Sequence, residues 1–249
     1  MKYIASCSGG KDSIATIILA HENKEPLDEI VFAEVMFDEE TSGELPEHID
    51  FIKNKAFPLF ESWGYKTTIL HHNRTYMDYF NQVRQKGKNI GKKVGFPMAD
   101  KCNARACKTK PIEKYIKSLG SDYVEYVGIG LEEKDRLHRL HTHKNKISLL
   151  EKEQFTTDNA KQLATEYGLL SPYYDFSKRG GCWFCPNLRY KELRHLRDNH
   201  FDLWKRLLDL SEKDIANPYL NCFEKTTVKD IEEQFRLEDA QMTIFDFIK

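Results

Sequence analysis

The chain has 249 residues, of which 40% are hydrophobic and 31% are charged. This composition supplies a buried core, so it excludes a wholly disordered protein. No apolar run approaches the roughly 20 residues that a membrane helix requires, and the N-terminus shows a strand pattern without a long apolar signal core. We therefore expect a cytoplasmic protein without a membrane partner, formed by one large domain or by a domain and a half.

The net charge of −1 conceals two segments of opposite charge. Residues 84–117 carry eleven Lys or Arg against two acidic residues, a balance of +9. Residues 22–61 carry twelve acidic residues against three basic ones, a balance of −9. A basic segment is typical either of a solvated surface or of contact with an anionic ligand, such as a nucleotide or a nucleic acid.

The first half of the chain alternates strand and helix patterns. Strands are predicted over residues 2–6, 29–37, 66–70 and 122–129. Helices are predicted over residues 13–22, from Pro46 toward Trp63 with a bend or interruption at Pro58, and over residues 111–119. This alternation predicts an α/β fold, in which a parallel sheet is covered by helices on both faces.

From about residue 146 the strand patterns fade and helices dominate. They are predicted over residues 158–167, 188–199 and 201–210, and the tail over residues 239–249 is amphipathic. The apolar stripe of the tail, which we expect to dock on the core, consists of Met242, Ile244, Phe245, Phe247 and Ile248. We predict an α/β nucleotide-binding domain over residues 1–150 and, packed on it, a mostly helical region over residues 151–249.

A glycine-rich loop joins the first predicted strand to the first predicted helix. Its glycines let backbone N–H groups approach a phosphate, and the helix that follows directs its N-terminus at the same place. Lys11 adds a positive charge there. The loop is not a Walker A loop, because Ala5 and Asp12 stand where that motif has Gly and Ser or Thr. The predicted phosphate-binding residues are Ser8, Gly9, Gly10, Lys11, Asp12 and Ser13.

This loop resembles the pyrophosphate loop of the PP-loop, or N-type, ATP pyrophosphatase superfamily. Three further segments resemble its phosphoadenosine phosphosulfate (PAPS) reductase-like branch, and the resemblance extends over residues 1–187. Residues 37–47 resemble the family's Asp-Thr-Gly and Pro-Glu stretch with a short insertion, and residues 101–112 resemble its Cys-Thr-x-x-x-Lys-x-x-Pro stretch. Residues 128–136 resemble its Gly-Ile-Arg-x-x-Glu-x-x-Arg stretch, with Gly130 in place of the first Arg.

The resemblance implies an adenine nucleotide alpha hydrolase-like fold and an enzyme that splits ATP between its α and β phosphates. AMP is attached to an acceptor oxygen and pyrophosphate leaves, with Mg²⁺ holding the phosphates. Asp12 and Asp38 are the candidate Mg²⁺ ligands, although each could instead cap a helix or turn. Lys108 is expected near a phosphate or sulfate. The candidate catalytic residues are Lys11, Asp12, Asp38, Glu133 and Arg136.

The six cysteines are too few for a disulfide-dense fold. Cys182 and Cys185 form a Cys-x-x-Cys pair after two glycines and before a proline, a pattern that directs both sulfurs at one ion or cluster. With Cys102 and Cys107 they predict a Zn²⁺ ion or a [4Fe–4S] cluster, which the ligand types alone do not distinguish. Such clusters occur in related PP-loop proteins.

A competing ligand set keeps Cys182 and Cys185 but adds two histidines downstream. His195 and His200 give the spacing Cys-x2-Cys-x9-His-x4-His. The interval of nine residues is shorter than the roughly twelve of a zinc finger. This set stays open beside the four cysteines.

The leading hypothesis is ATP pyrophosphatase chemistry that serves sulfur transfer, or the modification of a nucleic acid or a small molecule. The partners would be an adenine nucleotide and, further, a nucleic acid or a sulfur-donor protein. The second hypothesis is a thiol-dependent sulfonucleotide reductase, for which only Cys7 or Cys222 remains as a nucleophile. The third is a non-catalytic zinc-knuckle module that binds nucleic acid through Arg189, Arg194, Arg197 and Arg206.

Overall fold

The computed structural model describes residues 1–98, 102 and 105–246. The strands are β1 (Lys2–Ser6), β2 (Glu29–Glu34), β3 (Lys66–His71), β4 (Lys93–Gly95), β5 (Tyr123–Val127), β6 (Lys146–Ile147) and β7 (Ile215–Asn217). The helices are α1 (Lys11–Glu22), α2 (Pro46–Phe51), α3 (Phe57–Ser62), α4 (Tyr76–Phe80), α5 (Arg105–Ser118), α6 (Lys134–Leu140), α7 (Leu149–Lys152), α8 (Thr157–Glu166), α9 (Tyr190–Asn199), α10 (Phe201–Ser211) and α11 (Val228–Asp246). A π-helical segment, Ile52–Ala56, joins α2 to α3, and a 3₁₀ turn spans Pro172–Asp175.

Five strands form one parallel sheet in the order β3-β2-β1-β5-β6. Ala5 of the central strand β1 lies opposite Ile30 of β2 and Tyr126 of β5. Strands β2 and β3 thus lie on one side of β1, and β5 and β6 lie on its other side, so the strand order reverses at β1. This reversal leaves a crevice at the carboxyl ends of β1 and β5, the place where open α/β sheets bind ligands.

Helices cover both faces of this sheet, which confirms the predicted fold class. On one face Ile14 and Ile18 of α1 pack with Phe32 of β2 and Leu163 of α8 in a buried apolar cluster. On the other face α5 packs on β2 and β3. Burial on both faces explains the nearly continuous apolar pattern of β2.

A second buried cluster joins the segment after β2 to the C-terminal helices. Phe37 lies in it with Trp183, with Trp204 of α10 and with Phe235 of α11. The centres of the Phe37 and Trp183 rings are 4.5 Å apart. The helical C-terminal part thus shares a core with the end of β2, while the division at residue 150 stays a prediction.

Several elements differ from the sequence patterns. The predicted helix over residues 111–119 is the C-terminal part of α5, and Pro111 lies inside that helix rather than in its first turn. The interruption expected at Pro58 takes the form of the π-helical segment just before it. The amphipathic tail continues a longer helix, because α11 runs from Val228 to Asp246. The side chains of residues 242–246, and residues 247–249 entirely, lie outside the described part, so the docking of the apolar stripe stays a prediction. Within the described residues, no helix combines the length and apolar character needed to span a bilayer.

Candidate functional site

The glycine-rich loop lies at the crevice between β1 and β5, where it packs closely on its surroundings. Gly9 has a φ of +70°, and a Cβ there would lie 2.6 Å from Cε1 of His48 and 2.7 Å from Cδ1 of Ile52. A Cβ on Gly128, just after β5, would lie 2.6 Å from the carbonyl carbon of Asp12. Only glycine permits these approaches, so the end of β5 sits directly against the first turn of α1.

Gly9→Ala is expected to lower the free energy of unfolding by about 2–4 kcal/mol, since it adds both left-handed strain and an overlap with His48. Gly64→Ala is the matched control. Gly64 has a φ of +94° but no atom within 4 Å of its Cβ position, so about 1 kcal/mol is expected there. Urea denaturation of the two variants measures the difference. Equal losses would mean that the loop tolerates a side chain beside His48.

Hydrogen bonds hold the loop in a closed turn. The Ser8 N–H donates to Oγ of Ser13 at 3.1 Å, and this hydroxyl donates to the Gly10 carbonyl at 2.9 Å. The Lys11 N–H donates to the Tyr174 hydroxyl at 2.9 Å. Helix α1 begins at Lys11, two residues earlier than predicted, so the amide groups of its first turn belong to the loop itself.

His48 of α2 hydrogen-bonds to the backbone of the loop. Its Nε2 lies 3.0 Å from the Ser8 carbonyl, which can only accept, so Nε2 carries the proton. Its Nδ1 then accepts from the Ser171 hydroxyl at 2.8 Å. Burial lowers the pKa of His48, and the ring is therefore held neutral in one tautomer.

Four of the predicted catalytic residues form two ion pairs that lie close enough to act on each other's charges. Nζ of Lys11 lies 2.8 Å from Oδ1 of Asp12, and Nη1 of Arg136 lies 2.5 Å from Oε1 of Glu133. Burial, together with the Glu133 carboxylate, raises the pKa of Asp12, and the Lys11 and Arg136 charges oppose that shift. The structure thus brings the residues after β1 and after β5 to one place.

Asp38 and Lys108 lie farther into the C-terminal packing, and each has partners there. Asp38 accepts the Thr41 N–H at 2.8 Å, which caps its own turn, and its other oxygen pairs with Arg206 of α10. Nζ of Lys108 lies 2.7 Å from Oε1 of the buried Glu44. Burial raises the pKa of Asp38, but the Arg206 and Thr41 hydrogen bonds outweigh it and lower the pKa overall. Asp38 is therefore a neutralised turn cap in this structure.

Gly130, where the family motif has Arg, has no room for a side chain. Its Cβ would lie 2.7 Å from Cγ2 of Thr157 and 2.8 Å from Oε2 of Glu132. The loop after β5 is packed here against the start of α8. Any contact between a cationic side chain and a phosphate must therefore come from another residue. Among the predicted catalytic residues, Arg136 is the basic residue closest to Gly130 in the sequence.

The Cys-x-x-Cys knuckle is anchored by the two aromatic residues inside it. Trp183 and Phe184 are fully buried, and Phe184 stacks on Tyr76 with ring centres 3.9 Å apart. Nε1 of Trp183 donates to the Ser42 carbonyl at 3.0 Å. The flanking cysteines, Cys182 and Cys185, remain partly exposed.

The four predicted cysteine ligands do not form a single tight group. In the described part of the chain, no three of their Sγ atoms lie within 4.8 Å of one another. Sγ of Cys107 is buried and lies 3.7 Å from the Arg74 carbonyl. Burial, and after it the Glu44 carboxylate, raises the pKa of Cys182 well above its ordinary value, and burial also raises the pKa of Cys185 and of Cys107. These three thiols therefore hold their protons more firmly than an exposed cysteine does, and metal binding has to displace those protons.

The competing set of two cysteines and two histidines is not assembled. Nε2 of His195 lies 2.8 Å and Nε2 of His200 lies 2.7 Å from the same oxygen, Oε1 of Glu47. Among the described residues, no group within 4.8 Å combines these rings with Cys182 or Cys185. The histidines have a carboxylate partner from α2 instead.

Sequence reasoning missed three residues around the predicted site, namely Tyr174, His48 and Glu44, and it gave Arg206 a role in nucleic-acid binding rather than a contact with Asp38. Each reaches its partner across a long stretch of chain, as Arg206 reaches Asp38 over 168 residues. His48 and Glu44 flank the Pro-Glu stretch, so their place beside a family motif was a signal. The turn that positions Tyr174 has no comparable signal.

Two solved structures to which the chain is similar are the phosphoadenylyl-sulfate (PAPS) reductase from Candida auris, as a phosphate complex, and the U34-tRNA thiolase NcsA from Methanococcus maripaludis with its [4Fe-4S] cluster. The reductase is 12% identical with a TM-score of 0.46, and the match covers 74% of this chain and 82% of the reductase. NcsA is 16% identical with a TM-score of 0.41, and the match covers 94% of this chain and 80% of NcsA. No protein-family model and no curated protein sequence matches the chain. At these identities and scores, the function rests on the chain's own residues.

Proposed function

We propose that the chain is a PP-loop enzyme of the PAPS reductase-like family that cleaves ATP to AMP and pyrophosphate, and so activates a substrate for sulfur transfer or for modification of a nucleic acid or small molecule. The observation that carries the proposal is the position of the loop. It lies at the point where the strand order reverses, and Lys11, Asp12, Glu133 and Arg136 surround it. This is the place where an anionic nucleotide is held in open α/β sheets.

In the proposed reaction an acceptor oxygen attacks the α-phosphorus, and the bond from that phosphorus to the oxygen bridging to the β-phosphate breaks. Pyrophosphate leaves with the electron pair, and the acceptor's proton passes to a base or to water. Lys11 and the first turn of α1 neutralise the leaving pyrophosphate, while Arg136 stabilises charge on the α-phosphoryl group. Mg²⁺, with Asp12 as the candidate ligand on this chain, would supply further charge neutralisation when bound.

The cysteines fit an iron–sulfur cluster better than a single zinc ion. A zinc ion with Zn–S bonds of about 2.3 Å holds its sulfurs about 3.8 Å apart, whereas in the described part of the chain no three of these Sγ atoms all lie within 4.8 Å of one another. We propose that Cys102, Cys107, Cys182 and Cys185 supply the ligands. A bound cluster would supply a site for sulfur or electron transfer near Lys108 and Glu44.

The sulfonucleotide reductase alternative needs a reactive thiol. Burial raises the pKa of Cys7 to about 11, so this cysteine is a neutral thiol beside the loop and a weak nucleophile. Cys222 is the remaining candidate, and its N–H donates to the carbonyl of Pro186, the residue that follows Cys185. The buried state of Cys7 favours the pyrophosphatase reaction over the reductase.

The non-catalytic nucleic-acid alternative needs free arginines. Three of the four predicted arginines have carboxylate partners: Arg194 pairs with Asp198, Arg197 with Glu232, and Arg206 with Asp38. The fourth, Arg189, lies over the Phe223 ring at 4.8 Å from its centre. The charges of the three pairs stabilise the packing of the C-terminal helices. This pairing favours an enzyme over a binding module that uses these side chains.

The reaction is tested with ATP labelled at the α and γ positions, in the presence of candidate acceptors such as tRNA, DNA and sulfur-donor proteins. We expect AMP, free or attached to the acceptor, together with pyrophosphate. ADP as the main product with any acceptor would contradict the proposal, because it would place the cleavage between the β and γ phosphates.

Lys11→Ala is expected to weaken ATP binding by roughly 10- to 150-fold, about 1.5–3 kcal/mol, because a charged hydrogen-bond donor to phosphate is lost while the glycine turn stays intact. Lys161→Ala, which removes an exposed lysine of α8, is the control and should bind ATP as the wild type does. Titration calorimetry of the three proteins measures the affinities. An unchanged ATP affinity in Lys11→Ala would contradict the assignment of the loop as the phosphate-binding site.

A further inference from the structure

A carboxylate and two imidazoles converge outside the nucleotide site and outside the cysteines. Nε2 of His195 and Nε2 of His200 lie 2.8 and 2.7 Å from Oε1 of Glu47. Among the described residues, these three are the only set of three or more His, Cys, Asp or Glu side chains whose ligand atoms all lie within 4.8 Å of one another. The three side chains are 27%, 21% and 18% exposed, so solvent reaches the cluster.

We infer that Glu47, His195 and His200 form a binding site for a divalent transition-metal ion, separate from the cysteine ligands. Two imidazole nitrogens and one carboxylate oxygen are a donor set that suits Zn²⁺ and Fe²⁺. Zn–N and Zn–O bonds of about 2.0–2.2 Å place such donors about 3.3 Å apart. The two distances from Glu47 to the imidazole nitrogens need to widen by only about half an ångström. The two imidazole nitrogens, which lie within 4.8 Å of each other, have to reach the same spacing.

Among the described residues, the second carboxylate oxygen of Glu47 has no hydrogen-bond partner, and this supports the proposed metal ion. In the described part of the chain, Oε2 of Glu47 is buried without a hydrogen-bond partner, although the carboxylate as a whole is only partly buried. A buried oxygen that has lost water is costly unless something replaces it. A metal ion shared with the two rings would satisfy this oxygen as well as the one that already faces the imidazoles.

The ring of His195 is already oriented for this role. It stacks on Phe176 with ring centres 3.6 Å apart and planes 10° apart. Its Nδ1 lies 3.2 Å from the side-chain amide of Asn199. Metal binding at Nε2 would leave the ring proton on Nδ1. The Asn199 amide group, which also donates to the His195 carbonyl at 3.0 Å, would then keep that bond and move away from Nδ1.

The site would tie two parts of the fold together. Glu47 lies in the first turn of α2, whereas His195 lies on α9 and His200 lies between α9 and α10. The residue after Glu47 is His48, which supports the Ser8 carbonyl. A bound metal would therefore fix the C-terminal helices against the helix that supports the loop, whatever reaction the loop serves.

The test uses the full chain with its cysteine ligands loaded and excess metal removed. We expect wild type to bind one further equivalent of Co²⁺, with an absorption spectrum free of thiolate charge-transfer bands, and to melt at a higher temperature when Zn²⁺ is added. Glu47→Gln and His200→Gln should lose that equivalent and the rise in melting temperature. His138→Ala, which removes an exposed histidine of α6, should retain both.

X-ray absorption of the added ion on the wild-type protein reads the ligands without any variant, should the Glu47 and His200 variants fail to fold. Nitrogen and oxygen neighbours with imidazole scattering are expected. Sulfur neighbours, no further equivalent in wild type, or full retention of the equivalent in Glu47→Gln would each overturn the inference.

Discussion

Cys182→Ser is expected to remove the metal or cluster and to loosen the C-terminal half of the chain. The formation of such a site is coupled to folding, because its ligands are brought together only in the folded state. Cys182 pairs with Glu44 in an isolated bridge, and the next residue, Trp183, is buried against Phe37. Loss of the metal therefore acts on a segment that connects the end of β2 to the helices α9, α10 and α11.

Iron, zinc and acid-labile sulfide per chain, measured after anaerobic purification, check the first part of this expectation. Thermal unfolding and the fluorescence of the tryptophans check the second, since Trp183 and Trp204 lie in the affected core. Cys222→Ser is the matched control, because Cys222 is also partly buried but lies outside the predicted set. Full metal occupancy in Cys182→Ser would contradict the assignment. A brown wild-type protein with absorbance in the visible blue would establish a cluster rather than zinc.

Arg136→Ala is expected to slow pyrophosphate release by about 10²–10³, the loss typical of one donor that stabilises charge in the transition state. ATP affinity should change much less, because the guanidinium would contact the α-phosphoryl group most strongly while charge develops on it. Arg136 lies at the start of α6, close to the loop charges, and is held by Glu133. The effect should therefore appear in the rate at saturating ATP.

Arg139→Ala is the control, since Arg139 is exposed on the same helix one turn farther on. Single-turnover pyrophosphate release is compared among the three proteins, with the acceptor that supports turnover by the wild type, and calorimetry gives the ATP affinities. Equal slowing in both arginine variants, or a lower affinity with an unchanged rate at saturation, would place Arg136 outside the reaction.

The elements that were predicted are those whose sequence pattern is local. β1, β2, β3 and β5 carry β-branched or aromatic residues between turn signals, and α1 follows two glycines, so their existence could be inferred before their contacts were known. Strands β4 and β7, of three residues each, pair with each other from distant parts of the chain and have no apolar pattern of their own. α4 was missed although Thr75 and Asp78 form a capping box, because five residues are too few to show a period.

The sequence by itself determined the glycine-rich loop and the helix that starts in it. Two glycines and a helix start within six consecutive residues set the backbone conformation and the direction of the first-turn amides, which depend on neighbours along the chain. The binding of phosphate there stays a proposal. The same reasoning located the Cys-x-x-Cys pair. It did not show that Trp183 and Phe184 hold that pair in the core, since their partners lie in other segments.

Only the tertiary structure decided which charges face one another. Asp38 is paired with Arg206 across 168 residues, Lys108 with Glu44 across 64, and Glu47 with His195 across 148. The strength of a charge pair depends on separation in space and on burial, and neither quantity follows from spacing along the chain. For that reason the sequence left Asp38 open between a magnesium ligand and a turn cap, whereas the structure shows its cap and its pair with Arg206. Its role as a magnesium ligand stays a prediction. The histidines of the competing ligand set face a carboxylate instead of the cysteines.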